Sequence, residues 1–167
     1  MRNSLLTAIF AAICCSACAA ETTTTSLSVP SADKKTAITL QLSAGWKTYR
    51  SKDGTVSIDV PKCANIQVWA LGNASVDEAA KQVSDLIKGQ VTHFKVTAST
   101  AITVAGTPGK RLTGTGEEAD DGDPSSADVY LFSVEGKVFI ICAHGEGDSS
   151  VKSRAILTAM LASVKKS

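Results

Sequence analysis

Hydrophobic residues recur along the chain at changing intervals, and the intervals predict the elements. Ile38, Leu40 and Leu42 alternate with Thr39 and Gln41, and Val56, Ile58 and Val60 alternate with Ser57 and Asp59. A period of two is that of a half-buried strand. "KDG" at 52–54 predicts a tight turn before the second strand, and Pro61 ends it. Ile66 to Leu71 reads as a third apolar strand. The spacing then changes. Val76, Ala79, Ala80, Val83, Leu86 and Ile87 lie on one face at helical intervals. Ser75 and Glu78 form a capping box at the start of this helix, and Gly89 is its stop. Alternation returns at Phe94, Val96 and Ala98, followed by Ile102 and Val104. "GTPG" at 106–109 predicts a turn, with a strand from Lys110 to about Gly116.

The next two segments are apolar at both parities. In "DVYLFSV" Tyr130 and Phe132 stand against Val129 and Leu131. In "KVFIICAH" Phe139 and Ile141 stand against Val138, Ile140 and Cys142. A strand with two apolar faces is covered on both sides. "EG" between them predicts a hairpin. Ser149 or Ser150 caps a last helix that turns Leu157, Met160, Leu161 and Val164 inward and ends in Lys165 and Lys166, which suit its negative end. Strands, helix, antiparallel meander, helix: the expected class is α+β, an α/β/α sandwich in which an antiparallel sheet is flanked by helices.

The first twenty residues follow another rule. Arg2 is followed by an uncharged, mostly apolar run from Leu5 to Ile13 and then by small residues through Ala20, the layout of a signal peptide over 1–20. The run is too short to span a bilayer. Cys15 and Cys18 have the spacing of a redox or metal pair, but they fall in this export segment. Ser16-Ala17-Cys18 resembles the end of a bacterial lipobox, which makes Cys18 a lipid-anchor candidate. Cys15 stands where that motif usually has Leu, and Ala17-Cys18-Ala19 also fits ordinary signal cleavage. Residues 21–35, "ETTTTSLSVPSADKK", are rich in Ser and Thr and read as a flexible tether. The folded domain is expected over 36–167.

Composition narrows the function classes. Hydrophobic residues make up 44% and aromatic residues 5% of the 167 residues, so the core rests on aliphatic side chains. The formal charge is +1, and it falls to 0 once Arg2 is removed with the leader. A neutral chain without a basic stripe has no field to draw nucleic acid or anionic lipid. Membrane association is expected only through an N-terminal lipid. Cys63 and Cys142 are the two cysteines of the folded region, and an oxidising export route predicts a disulfide between them.

Four stretches, "LSAGWKTYRSKDGTVSIDV", "SVDEAA", "ITVAGTPGKRL" and "YLFSVEGKVFIICAHGEG", together resemble the PsbP-like family, which includes DcrB-type bacterial lipoproteins and Mog. The resemblance covers about residues 36–167. It implies a sandwich domain used for docking or assembly, with no common enzymatic site and no cofactor.

The residues themselves offer little catalytic chemistry. The two histidines, His93 and His144, are not joined to a Gly-x-Ser-x-Gly elbow. "AHGEGD" sets His144, Glu146 and Asp148 at alternate positions, which a metal could use on an extended backbone, but a polar strand end, with Gly145 and Gly147 making the loop before a helix, is the preferred reading. The acidic stretch from Glu117 to Asp128 departs from the EF-hand spacing. Its Asp120, Asp121 and Asp123 are the candidate binding residues, as an acidic tip that steers a basic partner. No metal site is assigned. The expected function is an exported, non-enzymatic binding or assembly module of the bacterial cell envelope, periplasmic or lipid-anchored, whose partner is an envelope protein. The alternative is a small-ligand or metal-binding periplasmic protein.

Overall fold

A computed structural model describes residues 24–61, 64–72, 74–146 and 149–167, with the side chains of 149–152 excepted. The leader, Cys18, Cys63 and Asp148 lie outside the described residues. In chain order the elements are β1 (Thr24–Pro30), β2 (Ala37–Ser43), β3 (Lys47–Arg50), β4 (Val56–Asp59), β5 (Asn65–Ala70), α1 (Val76–Lys81), α2 (Val83–Leu86), β6 (Val91–Val104), β7 (Thr107–Glu118), β8 (Pro124–Val134), β9 (Lys137–Glu146), α3 (Ser149–Ala162) and β10 (Lys165–Lys166).

Seven strands form one antiparallel sheet in the order β3-β4-β5-β9-β8-β7-β6. The doubly apolar β8 and β9 sit at its centre. Tyr130, Phe132, Phe139 and Ile141 point into one hydrophobic cluster, and Val129, Leu131, Ile140 and Cys142 point into a second. The first cluster also takes Leu157 and Met160 of α3, and the second takes Ala79 and Val83 of α1 and α2. Both faces of the central strands are therefore buried, as their composition requires. Phe132 and Phe139 pair directly across β8 and β9 with stacked rings 6.1 Å apart. Each such side chain contributes about 1.5–3 kcal/mol by leaving water.

The α+β class holds, but helices alone do not cover the sheet. Residues 24–30 are no tether. They form β1, which pairs with β2 along its whole length, and β10 closes a second, three-stranded sheet in the order β1-β2-β10. Val29 is fully buried in the first cluster beside Ile38, Leu40 and Leu42, with Leu27 packed against it. Leu27 and Val29 alternate with serines, a short strand pattern hidden in a Ser/Thr-rich composition. The folded body thus begins at Thr24 rather than at Thr36.

Three local expectations change in the same way. The helix from Ser75 keeps its capping box, but it tightens at Gln82 into α1 and α2. Ala79, Val83 and Ile87 remain its buried stripe. The turn expected at 106–109 lies at Ala105–Gly106, both at positive φ (51° and 78°), so Thr107 and Pro108 already belong to β7. This two-residue geometry matches the twist of the flanking strands, and Glu135–Gly136 repeats it between β8 and β9. In β6 the register shifts between Thr92 and Lys95 and again between Val96 and Ala98, and His93 takes φ 52°. The bulges break the alternation, so Phe94 is buried while Val96 is 43% exposed.

Opposite these bulges β7 carries glycines. A Cβ at Gly114 would lie 2.3 Å from the Lys95 carbonyl oxygen and 2.6 Å from the Phe94 ring, and one at Gly116 would lie 2.4 Å from the Thr92 carbonyl oxygen. The bulged edge folds over β7 closely enough to exclude any side chain there. The same close approach brings the ends of β6 and β7 onto the end of α2, where the polar residues gather.

Candidate functional site

Counting outward from the Glu135–Gly136 turn places Ala127 opposite His144 and Ser125 opposite Glu146. The next hairpin places Glu117 opposite Pro124. These registers bring the acidic tip of β7–β8 against the end of β9, so two stretches that looked independent in sequence form one site. The backbone is extended through Glu146, and His144 shares the face of Cys142, above α1 and α2.

At the centre is a buried pair. His144 Nδ1 lies 2.9 Å from Glu118 Oε2 and 3.2 Å from Oε1, and the side chains are 6% and 12% exposed. A carboxylate only accepts, so Nδ1 carries the proton and donates it, which leaves Nε2 facing the other way. Ser125 Oγ also donates to Glu118 Oε1. The serine and the imidazole both address the carboxylate. A nucleophilic relay needs the imidazole between hydroxyl and acid, and this arrangement lacks that order.

Around the pair lie two adjoining cavities of ≈ 210 and ≈ 280 Å³ that share Asn65, Glu118, Asp120 and His144. The smaller reaches inward to Gln67 and Gln90, and the larger opens toward Asp121 and Glu146. The loop between β7 and β8 is fixed to the turn that precedes β6, because Ala119 N–H donates to the Gln90 carbonyl at 3.0 Å. Gln67 Oε1, Gln90 Oε1 and His144 Nε2 are buried and have no hydrogen-bond partner among the described residues. Each such group costs about 1–3 kcal/mol when left unpaired. Asp121, Asp123 and Glu146 are exposed, and one oxygen from each lies within 4.8 Å of the others. No lysine or arginine lines either cavity among the described residues.

Of the sequence candidates, Asp120 and Asp121 line these cavities and Asp123 sits on their rim. His93 does not join them; it is exposed, with Nδ1 3.0 Å from Glu117. Sequence reasoning missed Asn65, Gln67 and Gln90, which carry no motif. It saw Glu118 as one acid among several, although hairpin counting could have set it beside His144. Cys142 is a free thiol, fully buried, and burial foremost pushes it up to about 12. Cys63, its expected partner, lies outside the described residues, and Cys142 makes no disulfide among them. Its side chain belongs to the cluster under α1 and α2, whereas Ala64, next to Cys63 in sequence, packs into the opposite cluster beside α3.

A second polar centre lies on the α3 face. Asp128 is 1% exposed and accepts from Arg111 Nε at 3.0 Å, Arg111 Nη2 at 2.7 Å and Arg154 Nε at 3.4 Å. Arg111 also stands over the Tyr130 ring, 5.7 Å from its centroid. Burial, then the Asp128 charge, raises the Tyr130 hydroxyl above its ordinary range. Every charge here has a partner, so the arrangement reads as a structural clamp between the sheet and α3.

No family model matches the chain, and no curated protein matches it. Solved structures do. LpqN, a Mycobacterium tuberculosis protein involved in cell envelope biogenesis, is 14% identical with a TM-score of 0.56, over 86% of this chain and 91% of LpqN. The cyanobacterial PsbP of Synechocystis sp. PCC 6803 is 13% identical with a TM-score of 0.55, over 77% of this chain and 85% of its own. A Bacteroides thetaiotaomicron protein is 12% identical with a TM-score of 0.53; the match covers 77% of this chain and 44% of that longer one. At these identities the likeness speaks for the fold alone: the chain has the PsbP-like α+β fold.

Proposed function

We propose that the chain is an exported, non-enzymatic binding module of the bacterial cell envelope, which docks a basic partner through the acidic end formed by the β7–β8 tip and the end of β9. The observation that carries this reading is the gathering of Glu118, Asp120, Asp121 and Asp123 at one end of the sheet, with no lysine or arginine among the described residues that line the cavities. Loops on a rigid scaffold are where binding residues concentrate, and like charge gathered there steers an oppositely charged partner. The Ser125–Glu118–His144 order supports the absence of catalysis. The signal-like segment 1–20 supports export, with Cys18 as the anchor, and LpqN supplies a precedent for the fold in an envelope protein.

The test is recovery of partners from native envelopes by the wild-type protein and by a variant with Asp120, Asp121 and Asp123 replaced by Asn. Recovery by the wild type should fall between low and moderate salt, and the variant should lose it at both. Equal recovery by the two proteins would remove the acidic end from the reading. Intact-mass analysis of membrane-extracted protein tests the anchor. An unmodified N-terminus at Ala20 or Glu21 would exclude lipid on Cys18.

A further inference from the structure

All three buried side-chain atoms left without a partner among the described residues, Gln67 Oε1, Gln90 Oε1 and His144 Nε2, belong to residues that line the same ≈ 210 Å³ cavity. We propose that this cavity is a specific site for a cationic N–H donor, an alkylammonium or guanidinium group, held by these three acceptors under the negative field of Glu118 and Asp120. The inference rests on reading this end as the binding face, and it adds the chemical group that the face selects.

The argument runs from satisfiability. Glu118 accepts from Nδ1–H, so the imidazole that carries one proton presents a lone pair at Nε2, and it is this form that the ligand selects. The two glutamines present carbonyl oxygens. All three are acceptors on residues of one cavity lining, and none meets a donor among the described residues. An anion would be repelled by Glu118 and Asp120 and would leave the three acceptors unpaired. An apolar group would leave all three atoms unpaired. A lone water, with a share of roughly 30 Å³ in the liquid, fills a small part of the cavity and has two protons for three acceptors. An ammonium brings three donors and a positive charge, and a guanidinium brings five. The residue that anchors the site, His144, is 5% exposed, so its orientation is set before any ligand arrives.

The ligand group can belong to a basic side chain of a docked partner or to a free amine, and direct binding distinguishes them. The purified protein is titrated at constant ionic strength with n-butylammonium, n-butylguanidinium and tetramethylammonium, which is cationic but has no N–H. The readout is the imidazole ¹⁵N resonances of the two histidines. The expected result is a shift at His144 Nε2 with one or both N–H donors, at least about tenfold weaker binding of tetramethylammonium, and an unchanged His93, whose side chain is 78% exposed. Nα-acetyl-lysine amide, the corresponding arginine amide and putrescine then separate a side chain from a free polyamine; tighter binding by any of them supports the site and names the source.

Gln90→Leu and Gln67→Leu supply the check against a merely structural role. Each removes an unpaired acceptor, so each should leave thermal stability equal or higher while weakening the N–H donor about tenfold or more. Equal binding of tetramethylammonium would overturn the proposal, as would Leu variants that bind like wild type or no response to any probe at millimolar concentration. Salt-dependent partner recovery through Asp120, Asp121 and Asp123 could survive each of those results, so failure of this site is distinguishable from failure of the docking reading.

Discussion

Replacing Asp128 by Asn tests whether the clamp on α3 depends on charge. The carboxylate is 1% exposed and receives three N–H donors from Arg111 and Arg154. Removing one partner of a buried ion pair costs about 3–5 kcal/mol where the remaining charge is trapped. Neither arginine is trapped here: the Arg111 side chain is 26% exposed and that of Arg154 48%, so both can turn toward water. Asn also keeps one acceptor in place. The expected loss is therefore about 2 kcal/mol, below the trapped-charge range. At about 2–4 °C per kcal/mol for a domain of this size, the thermal midpoint should fall by about 4–8 °C. A second readout reports charge alone. Asp128 helps to raise Tyr130 while Arg111 and Arg154 oppose it, so Asn should move the Tyr130 titration downward. The chain has two tyrosines, and Tyr49 is 60% exposed, so phenolate absorbance between pH 9 and 13 separates them. A midpoint within 1 °C of wild type together with an unmoved Tyr130 titration would refute the electrostatic account. A fall in midpoint with an unmoved Tyr130 would assign the effect to packing.

Gly114→Ala should destabilise the fold by about 1–3 kcal/mol in urea unfolding, because a Cβ there meets the Lys95 carbonyl and the Phe94 ring at 2.3–2.7 Å; an unchanged midpoint would mean that the bulged strand yields freely. Cys142 should resist thiol reagents at pH 8 in the native protein and react on unfolding, as residue-level mass mapping can show, since its thiol is inaccessible and pushed up to about 12. A raised acid keeps its proton longer when folded, so its contribution is intact below the unfolded thiol value near 8.5 and is lost as pH climbs toward 12. Asp33 has the opposite sign: the Ser31 hydroxyl first, and then Lys137, hold its carboxyl well below the usual range. It stabilises above the unfolded value near 3.9 and ceases to as pH falls further, so Asp33→Asn should flatten the acid limb of urea midpoints measured from pH 5 to 1.5, and a wild-type slope would remove it as a contributor.

The parts of this fold that were legible in sequence are those where one residue pattern has a single physical outcome. Val129 to Phe132 and Val138 to Cys142 are apolar at both parities, and both faces of their strands are buried. Ser75 and Glu78 form the capping box that their spacing promised. What was hidden depends on partners far along the chain. Leu27 and Val29 become a strand only because Leu40 and Ile38 stand opposite them, and "ETTTTSLSVP" alone carries too little apolar character to announce it. The bulge at His93 is legible only beside Gly114 and Gly116. In the candidate site, the acidic residues and His144 stood out by type. Gln67 and Gln90 did not, because an amide matters only where its surroundings leave it unpaired, and those surroundings come from β5 and from the turn before β6.

The pairing of β1 with β2 sets a length scale for any anchor. With Thr24 already in the sheet, six Cα steps separate it from Cys18, and even a fully extended chain covers at most about 20–22 Å over that interval. If Cys18 carries lipid, the domain rides within a few nanometres of the bilayer surface, and its partners must be proteins or molecules that approach the membrane as closely. A leash of the length that residues 21–35 first implied would let it search far across the envelope space. With lipid on Cys18, this geometry would confine the search to a thin shell, where local concentration rather than reach favours encounter.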